Sequence, residues 1–217
     1  RGLRMNEESR TVMRSVNIQG LTDDEIHSLA NFAAYYEPED FVLRYFARMK
    51  DKLFAAKSRF DYYKARTHRN RPFMEKALLE IPALQKSPKY AGQALGMSQA
   101  HLLQGLGRYE EAIKAYRVAN KQPDSTWAVT DCMVALKQYP QAVKTVQGLE
   151  SVGGATASRA SLKIADIYRI SGNKGKEVQQ LRMVLRRYPK SGESSEAHNR
   201  LESYGVALTG GESEAEE

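Results

Sequence analysis

The sequence predicts an all-α protein built from repeated helix hairpins, an α-solenoid with a further helical segment at its N-terminus. Apolar residues recur at three- and four-residue intervals through nearly the whole chain, the period of an amphipathic helix, and no stretch alternates as a strand does. The segments 102–123, 131–150 and 164–189 share one pattern: a helix, a short polar break and a second amphipathic helix. They recur about every 30 to 35 residues, the range of helix-pair solenoids. The chain has 217 residues, 41% hydrophobic and 27% charged, a globular composition with enough apolar side chain for a sizeable core. No apolar run approaches the ~20 residues of a membrane span.

The first predicted helix opens at Thr22 in "GLTDDEIHSLANFAAYY", residues 20–36. Thr22 and Glu25 have the spacing of a capping box, and Leu21 and Ile26 that of a hydrophobic staple. Ile26, Leu29, Ala33 and Tyr36 share one face. A second helix is expected to run unbroken from Glu39 to Arg66, its stripe formed by Val42, Phe46, Met49, Leu53, Ala56, Phe60 and Tyr63. These alternate by four and three residues over three heptads, too few to establish a coiled coil. A turn at 67–72 leads to a third helix from about Pro72 to Gln85. The expected organisation is an N-terminal segment at 1–38, a basic helix with a further helix and a degenerate repeat at 39–90, repeats with a capping helix at 91–208, and a disordered acidic tail at 209–217.

The repeat residues themselves resemble the tetratricopeptide repeat (TPR) family over about 91–190, with a weaker preceding pair from 41 to 86. Ala100, Gly107, Tyr109, Ala112, Tyr116, Ala119 and Pro123 follow the small-and-large pattern of that family, small residues standing where paired helices touch. The third unit agrees at Ala165, Tyr168, Gly172, Leu181, Val184 and Pro189, but Glu177 stands where Ala is usual. The middle unit keeps Tyr139 and Ala142 and lacks a Gly before its turn; its Pro140 suits the first turn of a helix. "RRYPKSGESSEAHNRLESYG", 186–205, resembles the last turn and capping helix of TPR proteins of the bacterial cell envelope. The resemblance implies a right-handed stack of hairpins and a periplasmic or envelope location. It also implies a non-enzymatic scaffold, whose concave groove takes another protein as an extended peptide or a helix. In the family's register, His101, Gln104, Trp127, Asp131, Arg159, Asp166 and Arg169 face that groove.

Residues 5–36 resemble the C-terminal part of a class I c-type cytochrome. Met13 stands where that family has a haem axial ligand, shortly before the "LTDDEI" helix. A thioether suits haem iron, but the chain has one cysteine, Cys132, and no CxxCH. The resemblance is therefore coincidence, a haemless relic, or the end of a protein whose haem c and haem-binding part precede this chain, which opens on Arg1. On the last reading the chain is an accessory part of a periplasmic electron-transfer protein, with a cytochrome or haem-bearing fragment as partner.

Other chemistry is excluded by the motifs. His27, His68, His101 and His198 lie far apart, with no metal-ligand spacing, and no phosphate loop or nucleophile elbow is present. Neither an enzyme nor a cofactor held within this chain is expected. The net charge is +7, and 44–71 carries ten Lys and Arg against Asp51 and Asp61. Such a stretch is ordinarily the solvated face of a helix, the alternative being an anionic partner surface. Nucleic acid is not the expected partner, because the interleaved aromatics fall on the apolar stripe. Cys132, among apolar neighbours, is expected to be buried and inert.

Overall fold

The computed structural model describes residues 2–68 and 70–206, and side chains from Glu7 onward. The expectation of a disordered tail at 209–217 lies outside the described residues. Among the described residues there are twelve α-helices and no strand. The chain divides into two compact units, Arg1–Arg108 and Tyr109–Glu217. The division falls inside the repeat read at 102–123.

The first unit holds α1 (Gly2–Ser15), α2 (Asp23–Ala33), α3 (Glu39–Arg48), α4 (Lys52–Lys64), α5 (Arg71–Gln85) and α6 (Gln93–Gly105). Consecutive helices pack on one another, α2 with α3 and α4 with α5 most extensively. The capping box forms as the sequence predicts: the Glu25 N–H donates to Thr22 Oγ1 at 3.3 Å, and the Thr22 N–H donates to Glu25 Oε2 at 2.8 Å. Ile26, Ala30 and Ala33 then face the core.

The long helix expected over 39–66 is broken. Met49 takes extended dihedrals, and Asp51 caps α4 by accepting the Leu53 and Phe54 N–H groups. The Asp23 carboxylate, at the start of α2, accepts the N–H groups of Lys50 at 2.9 Å and Asp51 at 2.7 Å. These two bonds hold the Asp23 carboxyl below the usual carboxylate range, the bond from Asp51 contributing most. Four N–H groups at the break are thus satisfied, two of them by a residue from another helix. The apolar stripe survives it: Val42, Phe46, Met49, Ala56, Phe60 and Tyr63 are all buried.

The basic stretch is correspondingly not one solvated helix face. Arg59 forks onto Glu80 at 2.7 and 2.8 Å, and Lys64 donates to Ser98. Arg66 stacks on Tyr62 while donating to the Ala34 carbonyl, and Arg71 donates to that of Leu106. These cations tie helices together.

Met13 is 3% exposed and belongs to the apolar core with Ile26, Val42 and Phe46. It lies on α1 rather than on a loop. Its carbonyl accepts the Tyr45 hydroxyl at 3.0 Å, and Arg14 forks onto the buried Glu37 carboxylate at 3.1 and 2.9 Å. A thioether committed to the core is not placed as a ligand. The haem role of Met13 therefore falls, and the cytochrome reading of 5–36 and the haem-bearing partner are left without support. The helix at 20–36 is instead an ordinary member of the helix series, paired with α3.

The second unit holds α7 (Tyr109–Ala119), α8 (Asp124–Ala135), α9 (Tyr139–Gln147), a 3-10 turn (Glu150–Val152), α10 (Gly154–Ile170), α11 (Lys174–Arg187) and α12 (Gly192–Ser203). The pairs α8 with α9 and α10 with α11 are the predicted hairpins, and α12 covers the last apolar face: Ala197 and Leu201 pack with Leu162, Ala165, Leu181 and Val184. Pro140 lies in the first turn of α9.

One turn geometry marks the repeat. At the end of α6 the Gly107 N–H donates to the Gln104 carbonyl, and the Arg108 N–H to that of Leu103. The ends of α8 and α10 repeat this bond pair, with Lys137 and Gly172 in the left-handed position. This is the Schellman stop, recurring at 107, 137 and 172. The repeat pattern puts Gly107 at a tight turn, where overpacking or backbone strain would exclude a larger residue; a Cβ there would meet nothing within 4 Å, so the requirement is conformational. Close approach belongs to Gly105, whose Cβ would lie 2.9 Å from Met74 Sδ. Lys137 occupies the left-handed region at φ 58° without being glycine. Lys137→Gly is therefore expected to stabilise the second unit, and Gly107→Ala to destabilise the first, each by about 1 kcal/mol. Urea midpoints check both; a lowered midpoint for Lys137→Gly counts against strain at that turn.

Candidate functional site

A cleft of about 380 Å³ runs across α8, α10 and α12 in the second unit. Trp127 and Asp131 line it from α8, four residues apart and so on one helix face. Arg159, Leu162, Lys163 and Asp166 line it from α10 at the i, i+3, i+4, i+7 positions of a single stripe. Glu193 and Glu196 close it from α12. The opposite faces of α8 and α10 carry the core: Val129, Cys132 and Met133 on one, Ala157, Ala160, Ile164 and Ile167 on the other. Burial, with the Asp131 carboxylate adding to it, pushes the Cys132 thiol up to about 11, so it stays protonated at neutral pH.

The walls of the cleft are organised by contacts between helices. The Arg159 guanidinium sits 5.0 Å from the centre of the Trp127 ring. Lys163 Nζ meets Asp131 Oδ1 at 2.7 Å, and Ser158 donates to Glu193 at 2.9 Å. Asp166 accepts Arg200 Nη1 at 2.7 Å and lies 3.7 Å from Arg169. Half-exposed pairs such as Lys163–Asp131 contribute little stability, roughly 0–1 kcal/mol; their effect is to fix side-chain positions. The lining holds four carboxylates against two cations, with an aromatic ring between them. Its apolar contribution is the Trp127 ring and the edge of Leu162, set in a lining that is otherwise mostly charged.

Of the residues assigned from the repeat register, Trp127, Asp131, Arg159 and Asp166 come together here. Arg169 lies outside the lining and reaches it only through Asp166. His101 and Gln104 lie on α6 of the first unit and are not part of this cleft. The register missed Leu162, Lys163, Glu193 and Glu196. The first two were available from the helical stripe that starts at Arg159. The glutamates were not, because α12 enters the cleft as a cap rather than as a repeat.

Among the described residues, no group of three or more His, Cys, Asp and Glu side chains is placed to hold a metal ion. Among them, too, no helix is long and apolar enough to cross a membrane.

No family model matches the chain, and no curated protein matches it. Among solved structures, the chain is similar to PilF of Pseudomonas aeruginosa. The match covers 92% of this chain and 91% of that chain, with 14% identity and a TM-score of 0.48.

Proposed function

We propose that the chain is a non-enzymatic interaction scaffold whose α8–α10–α12 cleft binds an extended peptide or a helix of another protein. The observation that carries this is the Trp127–Arg159 stack, set among Asp131, Lys163, Asp166, Glu193 and Glu196 on helix faces that a plain core would make apolar. A half-exposed indole with an adjacent guanidinium is the composition of an interface anchor. The excess of carboxylates favours a ligand with a Lys or Arg beside an apolar side chain. The envelope location implied by the likeness of 186–205 belongs to the same proposal, and recovery of the protein only with cytosol on cell fractionation would count against it.

Trp127 is the only tryptophan of the chain, so its emission reports on this cleft directly. Peptides selected against the full chain by display are expected to shift that emission on titration, and Arg159→Ala to weaken them by about tenfold or more. Selected peptides that bind without changing Trp127 emission, and equally well to Arg159→Ala, would place the interaction elsewhere.

A further inference from the structure

The outer helices of the second unit differ in charge from the cleft helices. The α9 sequence, YPQAVKTVQ, contains no acid. The one carboxylate of α11, Glu177, is 2% exposed and bonded to Arg200. The surfaces of α9 and α11 therefore present Lys144, Lys174, Lys176, Arg186 and Arg187 with no exposed carboxylate on either helix.

Between these helices, against the C-terminal end of α10, lies a recess of about 710 Å³. Val143 and the rings of Tyr139 and Tyr168 form its apolar part. Lys144 flanks it from α9 and Lys176 from α11, the latter 5.7 Å from the centre of the Tyr168 ring. No carboxylate lines the recess. Among the described residues, neither lysine has an ion-pair partner, and neither phenol hydroxyl makes a hydrogen bond. Two ammonium groups, two open phenols and an apolar floor thus converge where the protein supplies no anion.

We propose that this recess is a second binding site, distinct from the α8–α10–α12 cleft, for an acidic peptide segment that carries an apolar side chain among its carboxylates. Carboxylates bind Lys144 and Lys176, the apolar side chain enters between Tyr139, Val143 and Tyr168, and the phenols take main-chain groups. A peptide fits better than an anionic membrane surface because the apolar residues lie in a depression between the lysines, whereas a membrane surface presents headgroups to a protruding face. The scaffold would then hold two partners of opposite charge on different faces.

The test uses the full chain and two fluorescein-labelled probes, a Glu-Glu-Leu repeat peptide and its Lys-Lys-Leu counterpart, read by anisotropy at ~0.1 M salt. The acidic probe is expected to bind and the basic one not to bind at this site. Lys144→Glu with Lys176→Glu should weaken the acidic probe by about tenfold or more, and the neutral Lys144→Gln/Lys176→Gln pair by less. Trp127→Ala should leave it unchanged, which separates failure here from failure of the cleft proposal. The site is overturned if the charge-reversed pair binds the acidic probe as the wild type does, or if Trp127→Ala abolishes that binding. It is also overturned if only phosphatidylglycerol vesicles, and no peptide, show the dependence on Lys144 and Lys176.

Discussion

Replacing Arg200 by leucine is expected to cost the second unit about 3–5 kcal/mol, the scale for removing one partner of a buried ion pair. Glu177 sits on α11 at the position where a hairpin of this type ordinarily takes a small residue, and its side chain is 3% exposed. Arg200, on α12, bonds it through Nη2 at 2.5 Å and Asp166 through Nη1 at 2.7 Å; the Tyr204 hydroxyl donates to the same Glu177 oxygen at 2.9 Å. One guanidinium thus neutralises two carboxylates from α10 and α11. Without it, the buried Glu177 side chain and Asp166 lose the guanidinium they share. The double variant Arg200→Leu/Glu177→Ala should recover most of the loss, because removing a buried pair together is nearly neutral. Arg200 Nε, buried and without a hydrogen bond among the described residues, points the same way. Urea midpoints by far-ultraviolet circular dichroism decide it. A single variant within about 1 kcal/mol of wild type would show that solvent, not Arg200, satisfies Glu177.

Glu177 also shows where the sequence stopped being legible. Its oddity was visible, since it breaks a pattern that Ala165, Leu181 and Val184 keep. Its partner was not, because α12 returns Arg200 to it across 23 residues and nothing local encodes that return. The parts that were legible are local. The Thr22–Glu25 box, the Pro140 first turn and the glycine stops at 107 and 172 each depend on residues within one turn of the helix. The cleft was half legible for the same reason. A stripe on α10 can be read from spacing, but the arrival of Glu193 and Glu196 beside it is a tertiary fact. Met13 was misplaced by likeness to a family whose ligand loop precedes a similar helix. Here the segment before that helix is itself helical and packs its methionine inward, where the soft side chain fills the core.

The break at 49–51 leads to the other large effect. Phe46→Ala is expected to destabilise the first unit by about 3–5 kcal/mol, because the ring is fully buried and its loss leaves a cavity among Val42, Met49 and Tyr62. Phe46→Leu, which keeps most of the volume, should cost less, about 1.5 kcal/mol. The size of the loss alone does not distinguish a broken helix from a straight one, since the stripe containing Phe46 is apolar in both. Its coupling to Tyr62 does. On one continuous helix the two residues, sixteen positions apart, would be separated by about 24 Å at 1.5 Å per residue. Because Asp23 and Asp51 turn the chain between them, the two rings meet edge to face with centroids 6.0 Å apart. A double-mutant cycle with Phe46→Leu and Tyr62→Leu should therefore show a coupling of about 0.5–1.5 kcal/mol. Additive losses at these two positions would mean that the rings do not touch, and the straight helix that the heptad stripe predicts would regain its standing.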